Sequence, residues 1–259
     1  AMFLCTLSIN LRGSSCLKVI PVIDVLNGIV VHAVRGIRTE YQPLQSILTK
    51  SLEPLEVVKA FKNIGFGDLY VADLDAIIDC SSTFSTLKSI TAEVDIELMV
   101  DAGVTSIQRA QKLFETGVSK LIIGTETLES KNFVAQAVDI FGSERVVVSL
   151  DLRGDKVLVK LGFDGCTDPI CLLNQFKEMG VSQVIVLDLL RVGSGEGVNI
   201  DFLKKVIEEV GVDVYVGGGV RDIKDLVELK NIGVSCALVA TGLHTGKISI
   251  DQLKQEGLV

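Results

Sequence analysis

The sequence predicts an α/β fold: a single (β/α)8 TIM barrel built from two duplicated half-barrels. Three observations predict it. The 259-residue length suits one barrel. Eight short apolar, β-branched runs alternate with amphipathic stretches. Positions 99–127 match positions 215–243 at a constant offset of 116, with Val100/Val216, Gly103/Gly219, Val104/Val220, Gly117/Gly233 and Thr125/Thr241 among the identities. Self-similarity of this length marks a chain made of two equivalent modules.

The apolar runs are 18–23, 68–72, 96–100, 120–124, 145–150, 183–187, 213–216 and 236–240. They lack the alternation of a half-solvated strand, as expected of parallel strands covered on both faces. Helical stretches fill the gaps at 53–64, 82–91, 105–116, 130–140, 168–179, 199–210, 222–232 and 248–257. Ser51, Asn199 and Ser249 precede acidic first turns and serve as start signals. Gly65, Gly117, Gly180, Gly211 and Gly233 follow helical stretches and serve as stops. Two connections are long, 25–52 and 152–167, and each holds a glycine turn (Asn27-Gly28, Gly154-Asp155) that predicts a hairpin over the barrel mouth. The expected organisation is an N-terminal extension over 1–17 and a barrel over 18–259, with halves of roughly 18–141 and 142–259.

Composition narrows the function classes. The chain is 48% hydrophobic and 22% charged, so a folded core rather than disorder is expected. A net charge of −8 argues against nucleic acid and anionic membrane as partners, since both call for clustered positive charge. No apolar run of transmembrane length occurs. The six cysteines form no CxxC pair, which reads as free thiols in a reducing cytoplasm. No lysine ends a strand, so Schiff-base chemistry is not expected, and P-loop and GxSxG strings are absent. Gly193-Ser194-Gly195-Glu196-Gly197 reads as a flexible loop after strand six.

The repeat places Asp24 at the end of strand one and Asp151 at the end of strand five, diametrically opposed on the C-terminal face where barrel enzymes do their chemistry. Two carboxylates facing each other across a substrate can divide acid and base roles. Gly218, Gly219, Thr241 and Gly242 end strands seven and eight, where backbone N–H groups commonly hold phosphate. The first-half equivalents are Gly103, Gly124 and Thr125, but there Asp101 stands where the second half has glycine. A carboxylate repels a phosphate dianion, so one good phosphate site is expected rather than two, unless Asp101 turns away or holds a cation. Arg35, Asp73, Asp101, Asp188, Arg191 and Arg221 are candidate substrate contacts on the same face. No metal site and no cofactor are expected, although the ring of aspartates leaves a divalent cation open.

The segments 19–24, 71–76, 123–125 and 217–220, with Asn27-Gly28 and Val34-Arg35-Gly36, resemble as a set the histidine-biosynthesis barrels. That family contains the isomerase of phosphoribosylformimino-aminoimidazole carboxamide ribotide and the cyclase subunit of imidazole glycerol phosphate synthase. The resemblance covers 18–250. It implies a duplicated half-barrel with two catalytic aspartates, at Asp24 and Asp151, and two phosphate sites. The short segment after strand five is more similar to the isomerase. The family's Gly-Gly-Gly-Ile-Arg after strand three is Asp101-Ala102-Gly103-Val104-Thr105 here, its strand-six threonine falls at Leu187, and its Asp-Arg-Asp-Gly-Thr is Leu190-Arg191-Val192-Gly193-Ser194. The expected activity is an Amadori-type aldose–ketose isomerisation of a phosphorylated aminosugar, resembling that of the ribotide isomerase, with a changed substrate bearing one phosphate left open. A metal-dependent lyase or other enzyme acting on a sugar monophosphate, or a non-catalytic phosphometabolite-binding protein, remains open.

Overall fold

The computed structural model describes residues 17–79 and 84–259. The expected extension over 1–17 therefore lies outside the described residues, Leu17 apart, as do the first two residues of the 82–91 stretch.

Eight parallel strands close into a barrel: β1 (Lys18–Leu26), β2 (Asp68–Asp73), β3 (Glu97–Asp101), β4 (Lys120–Gly124), β5 (Val146–Arg153), β6 (Gln183–Asp188), β7 (Asp213–Gly217) and β8 (Cys236–Val239). Closure runs through β8 pairing with β1, Lys18 opposite Cys236 and Pro21 opposite Val239. Both expected hairpins are present. β1 turns at Asn27-Gly28 into Ile29–His32, and β5 turns at Gly154 into Lys156–Val157. Asn27 and Gly28 both take positive φ, and their amides donate to the Asp75 carboxylate at 2.8 and 3.1 Å.

The strand side chains alternate between two cores, as the period of two requires. Ile20, Tyr70, Met99, Ile122, Val147, Ile185, Tyr215 and Leu238 fill the barrel interior. Their neighbours Val19, Leu69, Val100, Leu121, Val148, Val184, Val216 and Val239 pack outward against the helices. At the N-terminal end the interior closes on a polar plug, where Lys120 donates to Gln183 and the Tyr215 hydroxyl donates to Gln183 Oε1 at 2.9 Å.

Helices occupy the expected gaps. Asn199 and Ser249 accept amide bonds as N-caps, and Ser249 completes a capping box with Gln252. The first helix (Pro54–Ile64) starts after Glu53 without a side-chain cap, and Ser51 Oγ accepts the Glu53 amide. Gly65 and Gly233 end their helices in the left-handed conformation. Two helical segments add to the expected set. Leu74–Asp79 follows β2 directly, and Thr241–His244 follows β8. Both sit at the C-terminal face, where connections carry function rather than core periodicity. Among the described residues, no helix is long and apolar enough to cross a membrane.

Candidate active site

The C-terminal end of the barrel holds a cavity lined by the ends of strands from both halves. Asp24, Asp101 and Asp151 all line it. Each lies on the inward parity of its strand, two residues beyond the interior positions Val22, Met99 and Ser149. Asp24 and Asp151 come from β1 and β5, on opposite sides of the ring.

Asp151 is 5% exposed and held on both oxygens. The Ser149 hydroxyl donates to Oδ1 at 2.7 Å and the Glu126 amide donates to Oδ2 at 3.0 Å. Burial nevertheless pushes its pKa up to about 7, with the Asp101 charge adding to the rise against those hydrogen bonds. Burial raises Asp24 to about 7 as well. Asp101 rises to about 6, again chiefly through burial, partly offset by the Gly103 amide donating to its Oδ1 at 3.0 Å. Groups titrating near neutrality can serve as acid in one protonation state and base in the other. Tyr41 also lines the cavity, and burial with the Asp24 charge holds its hydroxyl up at about 12, so it stays a neutral phenol.

The wall at the ends of β7 and β8 is glycine-rich and cationic. Gly218 and Gly219 take φ of +84° and +96°. A Cβ on them would lie 2.5 Å from the Asp188 carbonyl oxygen and 2.3 Å from that of Gly197, so only glycine fits. Among the described residues, their amides donate to no other backbone carbonyl. Thr241 and Gly242 face them from the β8 loop, and Arg191, Arg221 and Lys247 complete this wall. Arg191 is steered by Asp188 (Nε–Oδ2, 3.0 Å) and Arg221 by two bonds to Asp225, of 3.0 and 2.6 Å. Lys247 has no ion-pair partner among the described residues. Free amides flanked by cations can receive an anion. His32 Nε2 meets Thr241 Oγ1 at 3.0 Å and so fixes the β8 loop. His244 is buried, with Nδ1 against Ser46 Oγ, and burial lowers its pKa to about 4.

The first-half counterpart is occupied by internal contacts. The Gly103 amide is engaged by Asp101. Thr125 is fully buried and its hydroxyl accepts the Asp151 amide. Gly124 lies under the carboxylates instead of offering a loop, and Glu126 and Arg38 meet at 3.2 Å over the cavity mouth. Thus Gly103, Gly124 and Thr125, expected as phosphate contacts, do not line the cavity.

Three expected substrate contacts also lie elsewhere. Asp73 points outward and is fully buried, accepting the Ala76 amide as the start of the Leu74–Asp79 helix. Asp188 faces away from the cavity and serves Arg191. Arg35 pairs with Glu196 at the surface. The reason is parity: Tyr70 and Ala72 of β2, and Ile185 and Leu187 of β6, take the interior positions, so the next residue of each strand faces the shell. The Gly193–Gly197 loop is a packed wall rather than a loose connection. A Cβ on Gly193 would lie 2.6 Å from the Ala33 carbonyl oxygen, and one on Gly197 would lie 2.8 Å from the Arg221 guanidinium carbon. Among the described residues, no three His, Cys, Asp or Glu side chains are grouped to hold a metal ion.

A family profile described as histidine biosynthesis protein matches residues 18–249. The chain belongs to that family. Its relatives include an uncharacterized protein of Methanocaldococcus jannaschii, 33% identical over 92% of this chain and 97% of the relative. Two others carry the name 1-(5-phosphoribosyl)-5-((5-phosphoribosylamino)methylideneamino)imidazole-4-carboxamide isomerase. The one from Syntrophomonas wolfei is 32% identical over 91% of this chain and 96% of its own. The one from Halothermothrix orenii is 29% identical over 92% and 99%. Tyr41 and Glu126 also line the cavity, and no motif of the sequence marks either residue. Both sit in irregular connections; the length of the 25–52 loop was the one signal available for Tyr41.

Proposed function

We propose that the protein is an aldose–ketose isomerase of the Amadori type, acting on a phosphorylated aminosugar. One observation carries the reading. Asp24 and Asp151 reach a single cavity from opposite strands, both with pKa near 7, beside a wall of free glycine amides and cations. The isomerase names of the relatives from Syntrophomonas wolfei and Halothermothrix orenii support the same reaction class.

In this scheme the phosphate rests on the amides of Gly218, Gly219 and Gly242, with Arg191, Arg221 and Lys247 around it. One aspartic acid protonates the ring oxygen of the aminoaldose. The C1–O bond breaks and the nitrogen lone pair completes a C=N bond. The second aspartate takes the proton from C2, and the C–H electron pair moves to form an enaminol. Loss of the hydroxyl proton and return of a proton to C1 give the aminoketose. The electrons balance within the substrate, so the two carboxyl groups carry out both halves. Tyr41, as a phenol, is available to donate to a sugar oxygen.

The test is turnover of the bisphosphorylated imidazole carboxamide substrate named for the relatives, alongside aminosugar monophosphates. Asp24→Asn and Asp151→Asn should each lower kcat by about a thousandfold or more while the proteins remain folded by circular dichroism. Wild-type turnover in either variant contradicts the scheme.

A further inference from the structure

The cavity is electrically polarised. Strand β7 ends in Gly217, and beyond it lie the free amides of Gly218 and Gly219 with Arg191, Arg221 and Lys247. Strand β3, across the ring, ends in Asp101 at the position equivalent to Gly217. Asp101 Oδ2 and Asp151 Oδ2 converge on Gly124, at 3.3 and 2.9 Å from the point a Cβ would occupy. The groups with which the first half could have held an anion are already engaged, the Gly103 amide by Asp101 and the Thr125 hydroxyl by the Asp151 amide. Arg38, the cation that acts on Asp101, is tied to Glu126 at 3.2 Å. A second phosphate here would face Asp101, Asp151 and Glu126, and like charges held at short range in a partly desolvated site repel strongly.

We propose that Asp101 is a specificity-determining residue that selects a zwitterionic ligand: one phosphate at the β7–β8 end, and a protonated amine, in place of a second phosphate, against the Asp101–Asp151 pair. The inference rests on the isomerase reading above for the phosphate end and goes beyond it for the other end. A cation placed between two converging carboxylates relieves their mutual repulsion and makes charge-assisted hydrogen bonds to both. A neutral hydroxyl gains less there, and an anion is rejected.

Calorimetric titrations near neutral pH with three probes test it: glucosamine 6-phosphate, glucose 6-phosphate and ribulose 1,5-bisphosphate. The wild type should bind the amine about tenfold or more tightly than its hydroxyl counterpart, and bind the bisphosphate most weakly. Asp101→Asn retains an acceptor for the Gly103 amide and should abolish the amine preference while still binding glucose 6-phosphate. Asp101→Gly should gain affinity for the bisphosphate. Monophosphate binding without an amine preference, or tightest wild-type binding of the bisphosphate, overturns this proposal and leaves the isomerase reading standing. Failure of all three probes to bind overturns the anion end and this proposal together. Should either Asp101 variant fail to fold, the wild-type comparison of the two six-carbon phosphates decides alone.

Discussion

Asp101 and Asp151 meet over Gly124. A Cβ placed on that glycine would stand 2.9 Å from Asp151 Oδ2 and 3.3 Å from Asp101 Oδ2, so the absence of a side chain at the end of β4 is what lets two carboxylates from the strands on either side of it converge. The convergence is one source of the raised Asp151 pKa, after burial, and it ties the titration of a second-half carboxyl to a residue of the first half.

Gly124→Ala should therefore lower kcat/KM by about tenfold or more, by displacing Asp151 from the Glu126 amide and the Ser149 hydroxyl. The cost in stability should be about 1–3 kcal/mol, as for overpacking of a dense interior. Denaturant melts and steady-state kinetics on the purified variant check both. A variant with wild-type kinetics contradicts the role assigned to this contact.

The raised carboxyl groups also set how stability depends on pH. Asp24 and Asp151 titrate near 7 in the folded chain and at 3.8 as ordinary carboxyls, so between those values the folded state holds more protons than the unfolded state. Their favourable contribution is complete below the unfolded value and is lost as pH rises through the folded one. Asp24→Asn and Asp151→Asn should then raise Tm by several degrees at about pH 8 and by little at about pH 4. Scanning calorimetry at the two pH values measures the difference, and equal shifts at both contradict it.

The cationic wall yields a prediction about binding alone. Arg191 borders the glycine amides across the ring from Asp101, and Asp188 holds it in place at 3.0 Å. Arg191→Met should weaken the affinity for inorganic phosphate by about tenfold, one charge-assisted contact being lost. Asp188→Asn should weaken it less, because Arg191 still donates to the Gly197 carbonyl at 2.8 Å. Calorimetric titration with inorganic phosphate reads both, and unchanged affinity in Arg191→Met contradicts the placement of an anion there.

Most of the fold was legible in the sequence because strand burial on both faces and helix capping are local signals. Asn199 and Ser249 cap as expected, and both glycine turns form hairpins. Asp24 was legible through its pairing with Asp151 in the repeat, with no lone motif marking either residue. Asp73, Asp188 and Thr125 do not reach the cavity, and the period of two accounts for it. Each follows an inward-facing residue, and its side chain must turn to the helical shell. Tyr41 and Glu126 were out of reach for a different reason. Irregular loops have no period, and where their side chains point depends on tertiary contacts such as the Arg38–Glu126 pair.

Two opposed carboxyl groups share one cavity and both change protonation state near neutrality. The most direct measurement is the titration of the Asp24 and Asp151 side-chain carboxyl carbons by NMR, assigned with the two asparagine variants. Midpoints near 7 are expected for both, with that of Asp151 falling in Asp101→Asn as the neighbouring charge is removed. Midpoints for both residues at the ordinary carboxyl value of 3.8 contradict it.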